Sequence, residues 1–140
     1  MGKVSPIPHS FHTITPYLNV ADARKFVDFV WRAFGGVETE FIDLGGGHVH
    51  AEVRVGDSMI MIGQTTPSPA FIYMYVEDVD AVHSRAVAAG GTASEAPNDK
   101  QYGDRSSTVV DPSGVTWYIA TRIENVSGAE TARRMAARVL

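Results

Sequence analysis

The stretch Phe71-Ile-Tyr-Met-Tyr-Val-Glu-Asp-Val-Asp80 decides the fold, because the earlier stretch Ile14-Thr-Pro-Tyr-Leu-Asn-Val-Ala-Asp22 has the same pattern. In each, an extended run ends at a valine and an aspartate follows two residues later. These aspartates, Asp22 and Asp78, lie 56 residues apart. An aspartate in this place can accept hydrogen bonds from the free N–H groups that begin a helix. The repetition predicts two similar units.

Each unit is predicted to contain a strand, a helix and three further strands. A glycine pair closes each helical pattern, Gly35-Gly36 and then Gly90-Gly91, and supplies the left-handed residue that commonly ends a helix. Each helix has an apolar face at 3.6-residue spacing, which must be buried. These faces are Phe26, Phe29, Val30, Ala33 and Phe34, and Val79, Val82, Ala86 and Ala89. The extended segments lie at 37–43, 47–54 and 58–64, and at 92–95, 105–110 and 115–122.

The pattern predicts an α+β fold of two βαβββ modules in a single domain at 12–125. Module one is expected at about 12–65 and module two at about 70–123, with an extended arm at 1–11 and a C-terminal helix at 126–140. Ser127 and Glu130 form a potential capping box for that helix. Its weak apolar stripe, expected to serve docking or dimer contacts, comprises Ala129, Ala132, Ala136 and Val139. The alternative is an unrelated α+β fold with two coincidental glycine pairs.

Composition excludes several functional classes. The 140 residues carry a net charge of −4, which argues against a nucleic-acid partner. There is no cysteine, so a disulfide scaffold, a thiolate zinc site and a cysteine nucleophile are excluded. Residues 1–8 lack the apolar segment of a secretory signal, and no apolar run reaches the roughly 20 residues of a membrane span. A cytoplasmic protein without a membrane partner is expected.

Alternation along the strands divides their side chains into two sets. The set expected beneath the helices is aliphatic or bulky: Ile14, Leu18, Val20, Val49, Ala51, Val53, Ile60, Ile62, Ile72, Met74, Val76, Val115, Trp117 and Ile119. The opposite set contains Thr13, Thr15, Tyr17, Asn19, His48, His50, Glu52, Met59, Met61, Phe71, Tyr73, Tyr75, Thr116 and Tyr118. Aromatic rings with polar tips, together with methionines, are typical of a ligand cavity. A dimer interface, which also favours Tyr and Met, is the alternative.

Several short segments also carry a family resemblance. They are Ile14-Thr-Pro-Tyr-Leu18, Ala33-Phe-Gly-Gly36, His50-Ala-Glu52 with Gly56-Asp-Ser58, Tyr75-Val-Glu-Asp-Val-Asp80, Gly103-Asp-Arg105, and Asp111-Pro-Ser-Gly114 before Trp117. In their order and spacing, over roughly residues 12–125, the chain resembles the vicinal oxygen chelate superfamily of glyoxalase I, extradiol dioxygenases and bleomycin-resistance proteins. It is particularly similar to the PhnB-like branch, which often has Phe and His where this chain has Ser113 and Val115. The resemblance implies curled mixed sheets around a shared cleft, in a homodimer.

The resemblance also places the family's metal ligands, which come from the first and last strands of each module. Those positions fall on Thr15, Met61, Phe71 and Tyr118. A hard or borderline divalent ion needs imidazole or carboxylate donors, and none of these four side chains supplies one. We therefore expect no metal and no other cofactor.

A substitute metal site is the alternative. His48, His50 and Glu52 alternate along one strand, so they share a face at about 6.5–7 Å in successive pairs. His12 or Asn19 could complete such a set. The competing interpretation is that His50 and Glu52 hydrogen-bond each other and orient the cavity wall.

Other polar residues have two interpretations as well. Arg105 could hold a ligand carboxylate or phosphate in bidentate fashion, or pair with Asp104 or Asp111 to fix a loop. His83, in the second helix, is expected to be structural. The run Gly45-Gly46-Gly47 precedes no helix, so it indicates a hairpin and not a phosphate site.

The sequence thus predicts metal-independent binding of a small, partly aromatic organic molecule, similar to drug-sequestering bleomycin-resistance-type proteins. The expected ligand-binding residues are Tyr17, His50, Glu52, Met61, Phe71, Tyr73, Tyr75, Arg105 and Tyr118. One alternative is a metal-dependent lyase, isomerase or dioxygenase of the glyoxalase type using His50 and Glu52. Another is a binding module with a regulatory ligand. Whether the chain is an enzyme is left open by the sequence.

Overall fold

The computed structural model describes residues 4–138. The elements are β1 (Tyr17–Val20), α1 (Ala23–Phe34), β2 (Val37–Gly45), β3 (His48–Val55), β4 (Ser58–Gln64), β5 (Phe71–Tyr75), α2 (Val79–Ala88), β6 (Thr92–Asp99), β7 (Asp104–Val110), β8 (Thr116–Arg122) and α3 (Gly128–Arg138). The predicted order of strand, helix and three strands occurs twice. Among the described residues, no helix has the length and apolar content needed to cross a membrane.

Each module forms one four-stranded mixed sheet. The module-one sheet has the order β1-β4-β3-β2, and the module-two sheet has the equivalent order β5-β8-β7-β6. In each, the first and last strands of the module run parallel and the other pairs are antiparallel. Neither sheet closes on itself. The predicted α+β fold of two βαβββ modules is confirmed.

Side chains cap the start of α1 and α2 as the sequence predicts. Asp22 accepts a hydrogen bond from the Lys25 amide at 3.1 Å, and Asp78 accepts one from the Ala81 amide at 3.2 Å. Gly35 ends α1 in the left-handed region, with φ +68°. The last residue of the last strand in module one, Gln64, adds a second cap, because its Oε1 accepts from the Ala23 amide at 2.9 Å. Thr121, near the end of β8, does the same for Val79 at 3.0 Å.

One continuous core joins the modules, because α1 packs against α2 as well as against its own sheet. Trp117 of module two stacks on Phe26 and lies 4.7 Å, between ring centroids, from Phe34 of module one. Of the side chains expected beneath the helices, nine are buried: Leu18, Val20, Ala51, Val53, Ile60, Ile62, Val115, Trp117 and Ile119. Four more are partly buried against them: Val49, Ile72, Met74 and Val76.

Two assignments from alternation are wrong. Ile14 was expected in the core, but it is 85% exposed, because β1 begins only at Tyr17. The ladder with β4 starts where Pro16 O accepts from the Met61 amide at 2.9 Å, and a proline, having no N–H, cannot extend it as a donor. Met59 was expected on the cavity face but is buried. The N-terminal arm passes the adjacent turn, where His12 Nε2 lies 3.2 Å from Asp57 O.

Both chain ends differ in detail from the expectation. The arm is not fully extended, since the Phe11 amide donates to Pro8 O in a turn. In α3, Ser127 Oγ accepts from the Glu130 amide at 3.1 Å, but the Glu130 carboxylate binds Arg133 and Arg134 and does not complete the capping box. No described residue of α3 is buried. Val139, assigned to its stripe, lies outside the described residues.

Candidate functional site

A strip of aromatic rings covers the face of the module-two sheet that is turned away from α2. Phe71 and Tyr118 stack at 6.3 Å between ring centroids, Tyr73 and Tyr118 at 5.9 Å, and Tyr73 lies 5.4 Å from Tyr75. The β5 rings protrude from the surface, with Phe71 66% and Tyr75 57% exposed. Exposed aromatic surface of this kind is a typical binding surface.

The carboxylate of Asp104 lies beneath the two tyrosines. Tyr73 Oη donates to Asp104 Oδ2 at 2.5 Å, and Tyr75 Oη donates to the same oxygen at 3.1 Å. The Asp104 side chain is only 2% exposed, and its Oδ1 has no hydrogen-bond partner among the described atoms. The guanidinium of Arg122 pairs with that oxygen by charge, with Nε 3.3 Å away.

This arrangement keeps both phenols protonated. Burial raises the pKa of Tyr73 far above its usual value, and the hydrogen bond to Asp104 raises it further. The same two causes raise the pKa of Tyr75. A phenolate next to the carboxylate would place two negative charges together, which is unfavourable.

A cleft of about 640 Å³ opens above this group. Its residues are Tyr73, Tyr75, Tyr102, Asp104, Arg122, Val126, Gly128, Thr131 and Ala132. The volume lies within the range of small-molecule sites. Because three of these residues belong to α3, the tail helix forms one wall of the cleft, a role that the sequence did not predict.

Polar contacts fix the two segments that flank this cleft. Arg122 Nη1 donates to Tyr102 O at 2.8 Å, tying the 100–103 loop to β8. Gly103 has φ +100°, and a Cβ there would collide with the Glu124 carbonyl, so only glycine fits this crossing. Arg134 of α3 donates to both carboxylate oxygens of Glu124, at 2.9 and 3.0 Å.

Four of the predicted residues, Tyr17, His50, Glu52 and Met61, gather on the module-one sheet. His50 Nε2 lies 2.9 Å from Glu52 Oε2, which is the hydrogen bond that one interpretation of the sequence expects. The Tyr17 ring lies 6.2 Å from the His50 ring, and Met61 is in register with both Tyr17 and Glu52. Gly63 makes room for Tyr17, because a Cβ there would lie 2.6 Å from its hydroxyl.

The two groups do not line one cavity within the chain. None of the module-one residues Tyr17, His50, Glu52 and Met61 borders the 640 Å³ cleft, which is formed by module two and the segment after it. Each group lies on its own sheet, and it is the helices α1 and α2 that pack together between the modules. We expected all the predicted ligand-binding residues to line one cavity within a single chain, and this cleft does not bring them together.

The four positions where the resemblance places metal ligands carry no imidazole or carboxylate. Phe71 and Tyr118 stack on each other, and Thr15 and Met61 belong to the other module. Nor does the substitute set assemble, because His12 contacts a backbone carbonyl and Asn19 donates to Ser68. Within residues 4–138 there is no group of three or more His, Asp or Glu side chains placed to hold a metal ion.

Arg105 lies elsewhere than predicted. Its guanidinium donates to both carboxylate oxygens of Asp80 on α2, each at 2.9 Å, and to Asp99 at 3.1 Å. The prediction that Arg105 pairs with Asp104 or Asp111 is therefore wrong. Successive residues of β7 alternate, so Asp104 faces the tyrosines while Arg105 faces the helix side. The cation beside the cleft is Arg122.

A serine–histidine pair is present on the helix side of the same sheet. His83 lies with Nδ1 2.8 Å from Ser107 Oγ. Ser107 is 1% exposed, so no substrate reaches its hydroxyl. The structural role expected for His83 accounts for this contact.

Of the nine residues that line the cleft, the sequence analysis predicted two, Tyr73 and Tyr75; the seven that it missed include Tyr102, Asp104 and Arg122. Two signals were available. Arg122 follows Tyr118 by four residues on one strand, which places both on one face. The Gly103-Asp104-Arg105 motif is the second signal, although it was Arg105 that it predicted as the ligand-binding residue.

Comparison with known proteins identifies the fold family. A family model described as Glyoxalase/Bleomycin resistance protein/Dioxygenase superfamily matches residues 10–119. Uncharacterized proteins of Mycobacterium bovis and Mycobacterium tuberculosis are each 31% identical across 81% of this chain, covering 86% and 76% of their own lengths. Among solved structures, TioX from Micromonospora sp. ML1 has a TM-score of 0.69 at 24% identity, over 79% of this chain and 98% of that one. A glyoxalase-related enzyme from Fulvimarina pelagi has a TM-score of 0.65 at 19% identity, over 79% and 87%. At these identities the structures show the fold alone.

Proposed function

This chain belongs to the glyoxalase/bleomycin resistance protein/dioxygenase superfamily, and we propose that it binds a small, partly aromatic organic molecule without a metal. The observation that carries the proposal is the 640 Å³ cleft, walled by Tyr73, Tyr75 and Tyr102 beside the aromatic strip. Ring faces offer stacking surface, and few side chains there are rotamer-rich, so little entropy is lost on binding. The order of the short sequence motifs favours the PhnB-like branch.

Binding is favoured over turnover by the state of the polar groups in the cleft. Asp104 already accepts from both tyrosines and pairs with Arg122, so it is not a free general base. The raised pKa of Tyr73 and of Tyr75 opposes their action as phenolates near neutral pH. The proposed role is therefore sequestration or sensing of the ligand.

We propose further that the protein is a homodimer. The module-one sheet presents an exposed apolar face that includes Tyr17, Ile42 and Leu44, at 54%, 40% and 62% exposure. A second copy would cover this surface and the open sheet edges. Light scattering at micromolar concentration should give twice the chain mass; the mass of one chain would contradict the dimer.

A metal-dependent lyase, isomerase or dioxygenase remains the second candidate, and the His50–Glu52 pair is the observation that favours it. The two side chains are 23% and 19% exposed, so an added ion could reach them. Elemental analysis of protein purified without chelator decides between the candidates. We expect no stoichiometric Ni, Zn, Fe or Mn; about one ion per chain, released by His50→Ala, would favour the enzyme.

Ligand-observed NMR tests the binding proposal with a simple aromatic probe, 2-phenylethanol. Saturation transfer to the probe is expected with the wild type and should fall with Tyr75→Ala. Trp31→Ala is the matched control, because this ring is also exposed, at 62%, but lies on α1 outside the cleft. Equal loss in both variants, or no transfer to wild type at millimolar probe, would overturn the proposal.

A further inference from the structure

We propose that the cleft selects ligands whose polar group is a protonated amine with N–H donors, a choice that rests on the proposed function. The basis is the direction of the hydrogen bonds at Tyr73, Tyr75 and Asp104. A phenol has one hydrogen to donate. Both phenols donate that hydrogen to Asp104 Oδ2. Neither phenol therefore has a hydrogen left for a ligand; each oxygen offers lone pairs, which at Tyr73 are shared with the neighbouring Tyr102 hydroxyl.

The lone pairs of these phenol oxygens accept hydrogen bonds from donor groups on a ligand. A ligand ammonium or amide N–H can pair with these two oxygens, whereas a carboxylate or phosphate would bring acceptor against acceptor. The buried Asp104 carboxylate polarises both phenols and makes their oxygens stronger acceptors. This fixed pair of acceptors is present before any ligand binds, so no reorientation is needed.

Ring faces add a second preference for positive charge. The negative face of an aromatic ring attracts a cation lying within about 6 Å of its centre. Tyr73, Tyr75 and Tyr102 all line the cleft, so an ammonium held by the phenol oxygens lies close to three aromatic rings. The rest of the ligand then stacks along the strip toward Tyr118 and Phe71.

Arg122 is the group that would favour an anion instead. Its Nε faces Asp104, and its Nη1 donates to Tyr102 O and, more weakly, to Glu124 O at 3.4 Å. Its charge is thus balanced by Asp104, and its Nε and Nη1 groups point to the protein. Ligand selectivity therefore depends on the phenol oxygens of Tyr73 and Tyr75 and not on the Arg122 guanidinium.

Four probes with one aromatic body separate these possibilities: phenethylamine, trimethyl(2-phenylethyl)ammonium, 2-phenylethanol and phenylacetate. Dissociation constants are measured by NMR titration at one pH and one ionic strength. We expect phenethylamine to bind about tenfold more tightly than phenylacetate, the size expected for one hydrogen bond to a charged group. The quaternary cation, which has no N–H, should bind more weakly than phenethylamine.

Asp104→Asn supplies a readout that mere loss of structure would not move. Both phenols contact the single Oδ2 position. Because Arg122 Nε faces the Oδ1 position, the asparagine oxygen is favoured there, so the NH₂ group takes the Oδ2 position, donates to both phenols and turns their hydrogens toward the cleft. The substitution also leaves the charge of Arg122 unbalanced. The preference should therefore shift from phenethylamine toward phenylacetate. Asp28→Asn, which removes an exposed carboxylate from α1, is the matched control and should leave the preference unchanged.

If Asp104→Asn fails to fold, Tyr75→Phe replaces it, because it removes one acceptor oxygen and keeps the ring. It should weaken phenethylamine more than 2-phenylethanol. Equal affinity of the wild type for all four probes, or tightest binding of phenylacetate, would overturn the amine inference while leaving the proposed function intact. Failure of every probe to bind would overturn both.

Discussion

The indole Nε1 of Trp117 donates a hydrogen bond to Oδ2 of Asp111, 2.8 Å away inside the core. Asp111 also accepts from the amides of Ser113 and Val115 at the β7–β8 turn. One contact thus ties the largest core side chain to the turn that sets the register of β8. The tyrosine strip depends on that register.

Truncation of Trp117 should therefore be costly. We expect Trp117→Ala to lower the free energy of unfolding by about 3–5 kcal/mol, because it leaves a cavity and removes a donor from a buried carboxylate. Tyr75→Ala should cost less, since that ring is half exposed. Urea unfolding followed by circular dichroism measures both. A larger loss in Tyr75→Ala would show that the strip, and not Trp117, supports the fold.

Alanine substitutions at Gly91 and Gly63 should lower the free energy of unfolding by different amounts, because only at Gly63 is the obstructing group able to move. A Cβ on Gly91 would lie 2.5 Å from Val109 Cγ1 and 2.9 Å from the Ala86 carbonyl oxygen. Gly91→Ala should thus cost about 1–3 kcal/mol, as overpacking does. At Gly63 the obstacle is the Tyr17 hydroxyl, the far end of a side chain that can move. Gly63→Ala should cost less in the same unfolding experiment and should displace Tyr17 from His50; the reverse order of stability would contradict the packing described.

The raised pKa of Tyr73 and of Tyr75 predicts that the free energy of unfolding decreases at high pH. Because the folded-state pKa of Tyr73 and Tyr75 is raised, the folded protein retains protons that the unfolded chain releases from about pH 10 upward. The stabilising contribution is full below that pH and is lost as pH rises through the folded pKa. Absorbance titration at 295 nm should show late-ionising tyrosines among the five. Asp104→Asn should make them ionise earlier; no change in that variant would contradict the hydrogen bonds to Asp104.

Docking of α3 should depend on one arginine. Arg134 contacts Glu124, Glu130 and Gln101 O, whereas Arg133, on the same helix, contacts only Glu130 in the described structure. Arg134→Ala should raise amide hydrogen exchange in α3 and change global stability by less than about 1 kcal/mol, because surface ion pairs contribute little. Arg133→Ala is the control. Equal exchange in the two variants would contradict docking through Arg134.

The order of elements could be predicted from the sequence because local signals repeat in both modules. Asp22 and Asp78 cap their helices, and the alternation of Tyr73 and Tyr75 with Ile72 and Met74 correctly separates the two faces of β5. Such signals lie within a few residues of the structure that they specify.

The site was predicted only in part, because its polar centre joins residues distant in the chain. The Asp104 carboxylate on β7 accepts from Tyr73 on β5 across the intervening strand β8. The helix α3 lies against the cleft, where Arg134 binds Glu124. Neither contact leaves a local pattern. Arg105 differs, because its motif is visible in the sequence. What could not be predicted is the face of β7 on which its side chain lies.

The central claim, that the tyrosine face of module two is the ligand-binding surface, is tested most directly by a ring-resolved NMR titration. Protein carrying ¹³C-labelled tyrosine and histidine rings is titrated with 2-phenylethanol, and resonances are assigned with single Tyr→Phe variants. We predict saturable shifts at Tyr73 and Tyr75 with one dissociation constant, larger than those at His50. Shifts confined to His50 and Tyr17, with Tyr73 and Tyr75 unchanged, would contradict the claim.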